Sequence, residues 1–127
     1  MIGSRLVELM VKNSFEVTVI DNLWRGKLKY LENIEGFDIK NNFVNQDLSI
    51  NNPFKCFNDC ESFDYIIHLA DIVAGIGYVF GNEAYIFDIN NRINSNVVKF
   101  ALENKVEKFI YVGTACSFPK DLQNGID

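Results

Sequence analysis

A glycine and a carboxylate 18 positions apart give the first chemical lead. Met1-Ile2-Gly3-Ser4-Arg5-Leu6 opens a stretch of helical periodicity, and Asp21 closes the β-branched run Phe15-Glu16-Val17-Thr18-Val19-Ile20. A glycine ahead of a helix lets backbone amides and the helix N-terminus approach a pyrophosphate. A carboxylate ending the next strand, about 20 residues on, accepts hydrogen bonds from the ribose hydroxyls of a dinucleotide. Asp21 would also repel a 2′-phosphate and so favours NAD over NADP, with Arg25 nearby as a counter-charge. Taken alone, Gly3 equally fits an ordinary helix start, and Asp21 a cap on the following turn. The other chemically capable side chains point less clearly. His68, the only histidine, ends an apolar run and reads as a satisfied core residue without a catalytic role. Cys56 and Cys60, four apart with no second pair, suit packing better than a metal site.

These residues need elements to hold them. Leu6, Val7, Met10 and Val11 form an apolar stripe that predicts a helix over Gly3–Asn13. Phe15–Ile20 reads as a strand ending at Asp21, and Asn22–Gly26 as a polar turn. A weak helix is expected around Leu28–Ile34, a second strand over Phe37–Val44, and a helical turn led by Pro53. Phe63–Ala70 is apolar on both faces in its second half, as in a buried parallel strand. Asp71–Gly81, with its three glycines, reads as a loop. Asn82–Asn104 is the longest helix, with Ile86, Ile89, Ile93, Val97 and Phe100 at helical spacing, and Lys108–Val112 is another buried strand. Helices alternating with strands predict a doubly wound parallel α/β sheet, and the length fits a single domain over residues 1–127.

Composition narrows the class. The 127 residues are 48% hydrophobic and 13% aromatic, and a net charge of −5 is too modest for a disordered tail. No basic run is present, which argues against a nucleic-acid partner. His68 and Asp71 interrupt the most apolar stretch, Tyr65–Phe80, so no membrane span is expected. Glu8 and Lys12 break the apolar run from Leu6, so no secretory signal is expected. The three cysteines then read as reduced thiols in a cytoplasmic protein.

Three segments, in order and spacing, resemble one family. They are Ile2-Gly3-Ser4 through Asp21-Asn22-Leu23-Trp24-Arg25-Gly26, then His68-Leu69-Ala70, then Phe109-Ile110-Tyr111-Val112-Gly113-Thr114-Ala115-Cys116. Together they resemble the extended short-chain dehydrogenase/reductases, the NAD-dependent epimerase/dehydratases of nucleotide sugars, along essentially the whole chain. Val73-Ala74-Gly75-Ile76-Gly77 and Gly113-Thr114-Ala115-Cys116-Ser117-Phe118-Pro119-Lys120 are most similar to its GDP-mannose 3,5-epimerase and GDP-L-fucose synthase branches. The 4,6-dehydratase branch resembles Thr-Asp-Glu where this chain has Thr114-Ala115-Cys116.

The resemblance implies a Rossmann-like fold, a nucleotide-sugar substrate (by branch, a GDP-hexose), NAD as cofactor and a homodimeric full-length enzyme. It assigns cofactor binding to Gly3, Asp21, Asn22, Arg25, Asp47, Leu48, Leu69 and Ala70, and places Gly75 and Gly77 beside the sugar and nicotinamide. Thr114 matches the hydroxyl that hydrogen-bonds the sugar C4 oxygen. Cys116 matches the thiol that moves protons at carbons next to a transient 4-keto group, a task for which a thiol needs only modest tuning. The bland reading of Cys116 is packing. Asn90 and Asn96 match the family helix, where one of them bonds active-site backbone.

The same resemblance implies parts that these residues do not supply. The family's Tyr-x-x-x-Lys is missing, because Tyr30, Tyr65, Tyr78, Tyr85 and Tyr111 are followed four positions on by Ile34, Leu69, Asn82, Ile89 and Ala115. A first strand and a sugar-binding lobe are expected to be absent too. In the strand order 3-2-1-4-5 the first strand lies at the centre, so its neighbours should stand about 10 Å apart. The chain alone is therefore expected to be an inactive fragment. The alternatives are an epimerase-reductase of the GDP-L-fucose synthase kind and a non-catalytic dinucleotide-binding module.

Overall fold

The computed structural model describes residues 2–57, 62–114 and 119. Helix α1 spans Ile2–Lys12, with Val7 buried and Lys12 in the last turn, where a cation suits the helix dipole. Strand β1, Val19–Asp21, pairs in parallel with β2, Phe43–Asn45. The short helices α2, Lys29–Glu32, and α3, Ile39–Asn42, fill the crossover between them. Strand β3, Tyr65–His68, pairs in parallel with β4, Lys108–Tyr111. Its crossover holds α4, Ile76–Val79, and the 21-residue α5, Glu83–Glu103. The architecture is the expected α/β with parallel strands, but as two two-stranded sheets rather than one.

Buried apolar side chains are few: Val7 from α1, Leu31 from α2, and Ile93, Val97 and Ala101 along one face of α5. The last three recur at a spacing of four, which keeps them on one stripe. Phe100 extends that stripe into an aromatic cluster, stacking on Phe54 with centroids 4.1 Å apart and meeting Phe57 and Phe63 at 5.9 Å.

Four expectations need correction. Residues 39–42 are helical, not strand, because the Asp38 carboxylate caps the turn, accepting from the Lys40 N–H at 2.9 Å and the Asn41 amide at 2.7 Å. Residues 76–79 form a helical turn inside the expected loop, since nothing in Ile76-Gly77-Tyr78-Val79 forbids helical backbone. Strand β4 is exposed along its length rather than buried, as a cleft lined by Val98, Ala101, Leu102 and Phe109 opens between it and α5. Cys56 is exposed rather than packed, its Sγ lying 3.7 Å from the Pro53 carbonyl oxygen.

Candidate functional site

The C-terminal ends of β1 and β2 bring the first group of expected residues together. Asp21 Oδ1 accepts the Leu23 N–H at 2.6 Å and Asn22 Oδ1 accepts the Trp24 N–H at 3.0 Å. These two Asx turns, with Leu23 left-handed at φ 58°, fold residues 21–26 tightly back on the strand end. A Cβ on Gly26 would lie 3.3 Å from Asp21 Oδ2, so the glycine keeps space beside the carboxylate. Asp47, one turn past β2, accepts both the N–H and the hydroxyl of Ser49, at 2.8 and 2.6 Å. Those bonds, helped by one from Asn22, hold its carboxyl below the usual range against partial burial. Asp21, Asn22 and Asp47 therefore form one polar corner with its carboxylates fixed.

The second corner lies at the C-terminal end of β3. Gly3, at the start of α1, sits against it: a Cβ there would be 3.9 Å from Leu69 Cδ1. His68 is buried at 4% exposure, with Nε2 2.7 Å from Asn94 Oδ1 and Nδ1 accepting the Ala70 N–H at 3.3 Å. That pattern puts the ring proton on Nε2 and commits both nitrogens to structure, as expected of a core histidine. Asn90 clamps the next backbone unit, accepting the Ile72 N–H at 2.7 Å and donating to the Ile72 carbonyl at 3.4 Å. Burial pushes the Asp71 carboxyl above its ordinary range, opposed by His68 and a hydrogen bond with Tyr111. Its Oδ1 is buried without a hydrogen-bond partner among the described residues. Gly75 caps α4 and Gly77 lies within it, and a Cβ on either would meet nothing within 4 Å.

Two contacts tie the corners together. Arg25 Nη1 donates to the Val73 carbonyl, and the Trp24 and Tyr78 rings lie 6.1 Å apart. Arg25, expected at the ribose, thus turns one guanidinium donor toward the glycine-bearing segment 73–77. From α5, Asn96 Nδ2 donates to the carbonyls of Leu48 and Ile50 at 2.7 and 2.9 Å. Both Asn90 and Asn96 therefore bond backbone at the strand ends. The contribution of Asn94 was missed in the sequence. The available signal was an asparagine on the apolar side of an amphipathic helix, where a polar group needs a buried partner.

Thr114 follows β4 on the exposed side of the chain. Cys116, the expected proton-transfer thiol, and Cys60 lie outside the described residues. Among the described residues no group of three metal-ligating side chains is present, and no helix is long and apolar enough to cross a membrane.

A carboxylate at a strand end and a glycine at a nearby helix start are groups that the adenosine half of a dinucleotide can use. Comparisons with known proteins identify the family. The family model of the NAD dependent epimerase/dehydratase family matches residues 1–126. A UDP-N-acetyl-alpha-D-glucosaminuronate decarboxylase of Bacillus cytotoxicus is 30% identical over 114 residues, covering 90% of this chain and 33% of that protein. GDP-mannose 3,5-epimerase of Arabidopsis thaliana is 29% identical over 65 residues, 51% of this chain and 17% of its own length. A putative UDP-arabinose 4-epimerase of the same plant is 29% identical over 126 residues, 92% of this chain and 27% of its own. The chain thus spans a third or less of these curated relatives. No solved structure matches it.

Proposed function

The chain belongs to the NAD-dependent epimerase/dehydratase family, and from that premise we propose that it forms the adenosine-binding part of a nucleotide-sugar epimerase selective for NAD over NADP. The observation that carries this reading is the fixed Asp21 carboxylate at the end of β1, with space kept beside it by Gly26. An aspartate held there offers two acceptor oxygens to the ribose 2′- and 3′-hydroxyls and repels a phosphate at the 2′ position. Arg25, the natural counter-charge for such a phosphate, has a donor engaged by Val73 instead.

When bound, the dinucleotide supplies hydride acceptance at the sugar C4 and its return. This chain's own residues do the rest of the holding. Asp21 and Asn22 orient the ribose, Asp47 and Leu48 border the adenine side, and Gly3, Leu69 and Ala70 form the passage toward the nicotinamide. Gly75 and Gly77 leave open backbone for the sugar. Thr114 would hold the C4 oxygen, and Cys116 would exchange a proton at the carbon beside the ketone, whose carbonyl acidifies that C–H. A GDP-hexose is the proposed substrate on the strength of the Thr114-Ala115-Cys116 and Phe118-Pro119 pattern. Its competitor is a UDP-hexose, since UDP-sugar enzymes also stand among the relatives. Without Tyr-x-x-x-Lys, these 127 residues should bind cofactor and not turn over.

The experiment is to titrate the chain with NAD and with NADP, following Trp24 fluorescence, and to incubate it with NAD and either GDP-mannose or UDP-glucose. Saturable quenching by NAD at lower concentration than by NADP, with no new sugar product, is expected. Equal response to both cofactors, or measurable epimerisation, contradicts the reading.

A further inference from the structure

We propose that Arg25 binds the diphosphate of the dinucleotide, with the Val73 carbonyl as the anchor that aims it. The inference rests on the cofactor reading above and adds to it the side chain that carries the phosphate charge.

Charge balance sets the problem. Each phosphate of a dinucleotide's diphosphate bears a negative charge, and a helix N-terminus offers only about half a positive charge against them. The strand ends deepen the deficit, because Asp21 ends β1 and Asp47 follows β2. The chain as a whole has a net charge of −5. An anion resting beside those carboxylates needs a full cation close to it.

Arg25 is an arginine whose charge is left uncompensated. Arg5 is paired with Glu8 at 2.7 Å and Arg92 with Asp88 at 2.8 Å, each within its own helix. Arg25 makes no ion pair among the described residues. Its guanidinium donates instead to the neutral Val73 carbonyl. That bond fixes the head group without neutralising it. The other N–H groups of the planar fork stay available for phosphate oxygens, which a guanidinium can grip two at a time.

The anchor is itself held in place. Asn90 bonds both backbone groups of Ile72, the residue before Val73. At the other end, the Asx turns at Asp21 and Asn22 shape the segment that carries Arg25. Trp24 adds a second contact across the same interval, its ring 6.1 Å from that of Tyr78. The guanidinium therefore bridges the end of β1 and the segment that follows β3. On the cofactor reading, the adenosine ribose lies at Asp21 and the nicotinamide end beyond Leu69 and Ala70. The diphosphate joining them crosses the interval that Arg25 bridges.

The test is calorimetric titration of the 127-residue chain with NAD and NADP. It is run at about 0.01 M and about 1 M ionic strength, where charges act over about 30 Å and about 3 Å. Wild type is compared with Arg25→Ala, Arg25→Gln and Lys27→Ala. Arg25→Gln keeps a donor for the Val73 carbonyl and removes the charge, whereas Lys27→Ala removes a neighbouring charge from the same segment. Both Arg25 variants should bind NAD about tenfold more weakly at low salt, as expected for one exposed charge-assisted contact. The deficit should shrink at high salt, and Lys27→Ala should stay within about twofold of wild type. An equal loss from Lys27→Ala, or a deficit that salt does not change, overturns the proposal. So does a deficit in Arg25→Ala that Arg25→Gln lacks, because the side chain is then only a tether. An effect on NADP alone assigns Arg25 to the 2′-phosphate and also overturns it. In each of these results wild type still binds NAD, so the cofactor reading stands. A wild-type chain that does not bind NAD removes that reading, and this inference with it.

Discussion

Replacing Asn90 with alanine removes the only side chain that satisfies both backbone groups of Ile72, among the described residues. The bond into Asn90 Oδ1 is short, at 2.7 Å, and the bond from Nδ2 is long, at 3.4 Å. A well-formed hydrogen bond contributes about 1 kcal/mol net, and the long one a fraction of that. Half-buried groups left unpaired add a desolvation cost, so the total should be about 1.5–2 kcal/mol. With a urea m-value of about 1.5 kcal/mol/M for a chain of this size, the unfolding midpoint should fall by roughly 1 M. Far-UV circular dichroism across a urea series measures this, because α5 dominates the helical signal. Exchange of the Ile72 amide supplies the local reading and should accelerate in the folded state. Asn90→Asp should recover the bond from Ile72 but not the one to it. An unchanged midpoint together with unchanged Ile72 exchange would refute the clamp.

Two further substitutions and one titration follow from the same structure. Val97→Ala, at a side chain only 4% exposed, should cost about 2 kcal/mol by thermal denaturation, while Leu102→Ala, 74% exposed, should stay within about 0.5 kcal/mol. Asp47 contributes stability through a lowered folded-state pKa, so that contribution is fully present above the ordinary carboxylate range. It is lost as pH falls through the folded value. Urea midpoints of wild type and Asp47→Asn should therefore differ by a constant amount from pH 7 to about 5 and converge below about pH 4. A gap that widened toward acid would contradict the assignment.

Much of the fold was legible because one face of each long element carries its message locally. The helical recurrence of Ile86, Ile89, Ile93, Val97 and Phe100 marks α5, and Leu6 with Met10 marks α1. The parallel strands were legible from short β-branched runs separated by helices. Two features were not. The Asn41-Asn42 pair already weakens a strand over residues 37–44, and the capping carboxylate of Asp38 decides for helix at 39–42. The apolar faces of Phe109–Val112 state that β4 suits burial, but side-chain pattern cannot say how closely a helix packs on it, and here its residues stay exposed. For the site, the place of Asp21 at the end of β1 was readable from the β-branched run before it. The partners of Arg25 and Asn96 lie 48 residues away in sequence, and periodicity carries no information about such contacts.

The central claim is that Asp21 reads the adenosine ribose, and comparing wild type with Asp21→Ala by calorimetric titration against NAD and NADP tests it most directly. Loss of two charge-assisted hydrogen bonds at about 1.5 kcal/mol each, discounted for exposure, should weaken NAD binding by roughly 10- to 100-fold. NADP binding should stay the same or improve, as the repulsion of its 2′-phosphate disappears. An Asp21→Ala chain that binds NAD as tightly as wild type, or loses affinity for both cofactors equally, would contradict the account.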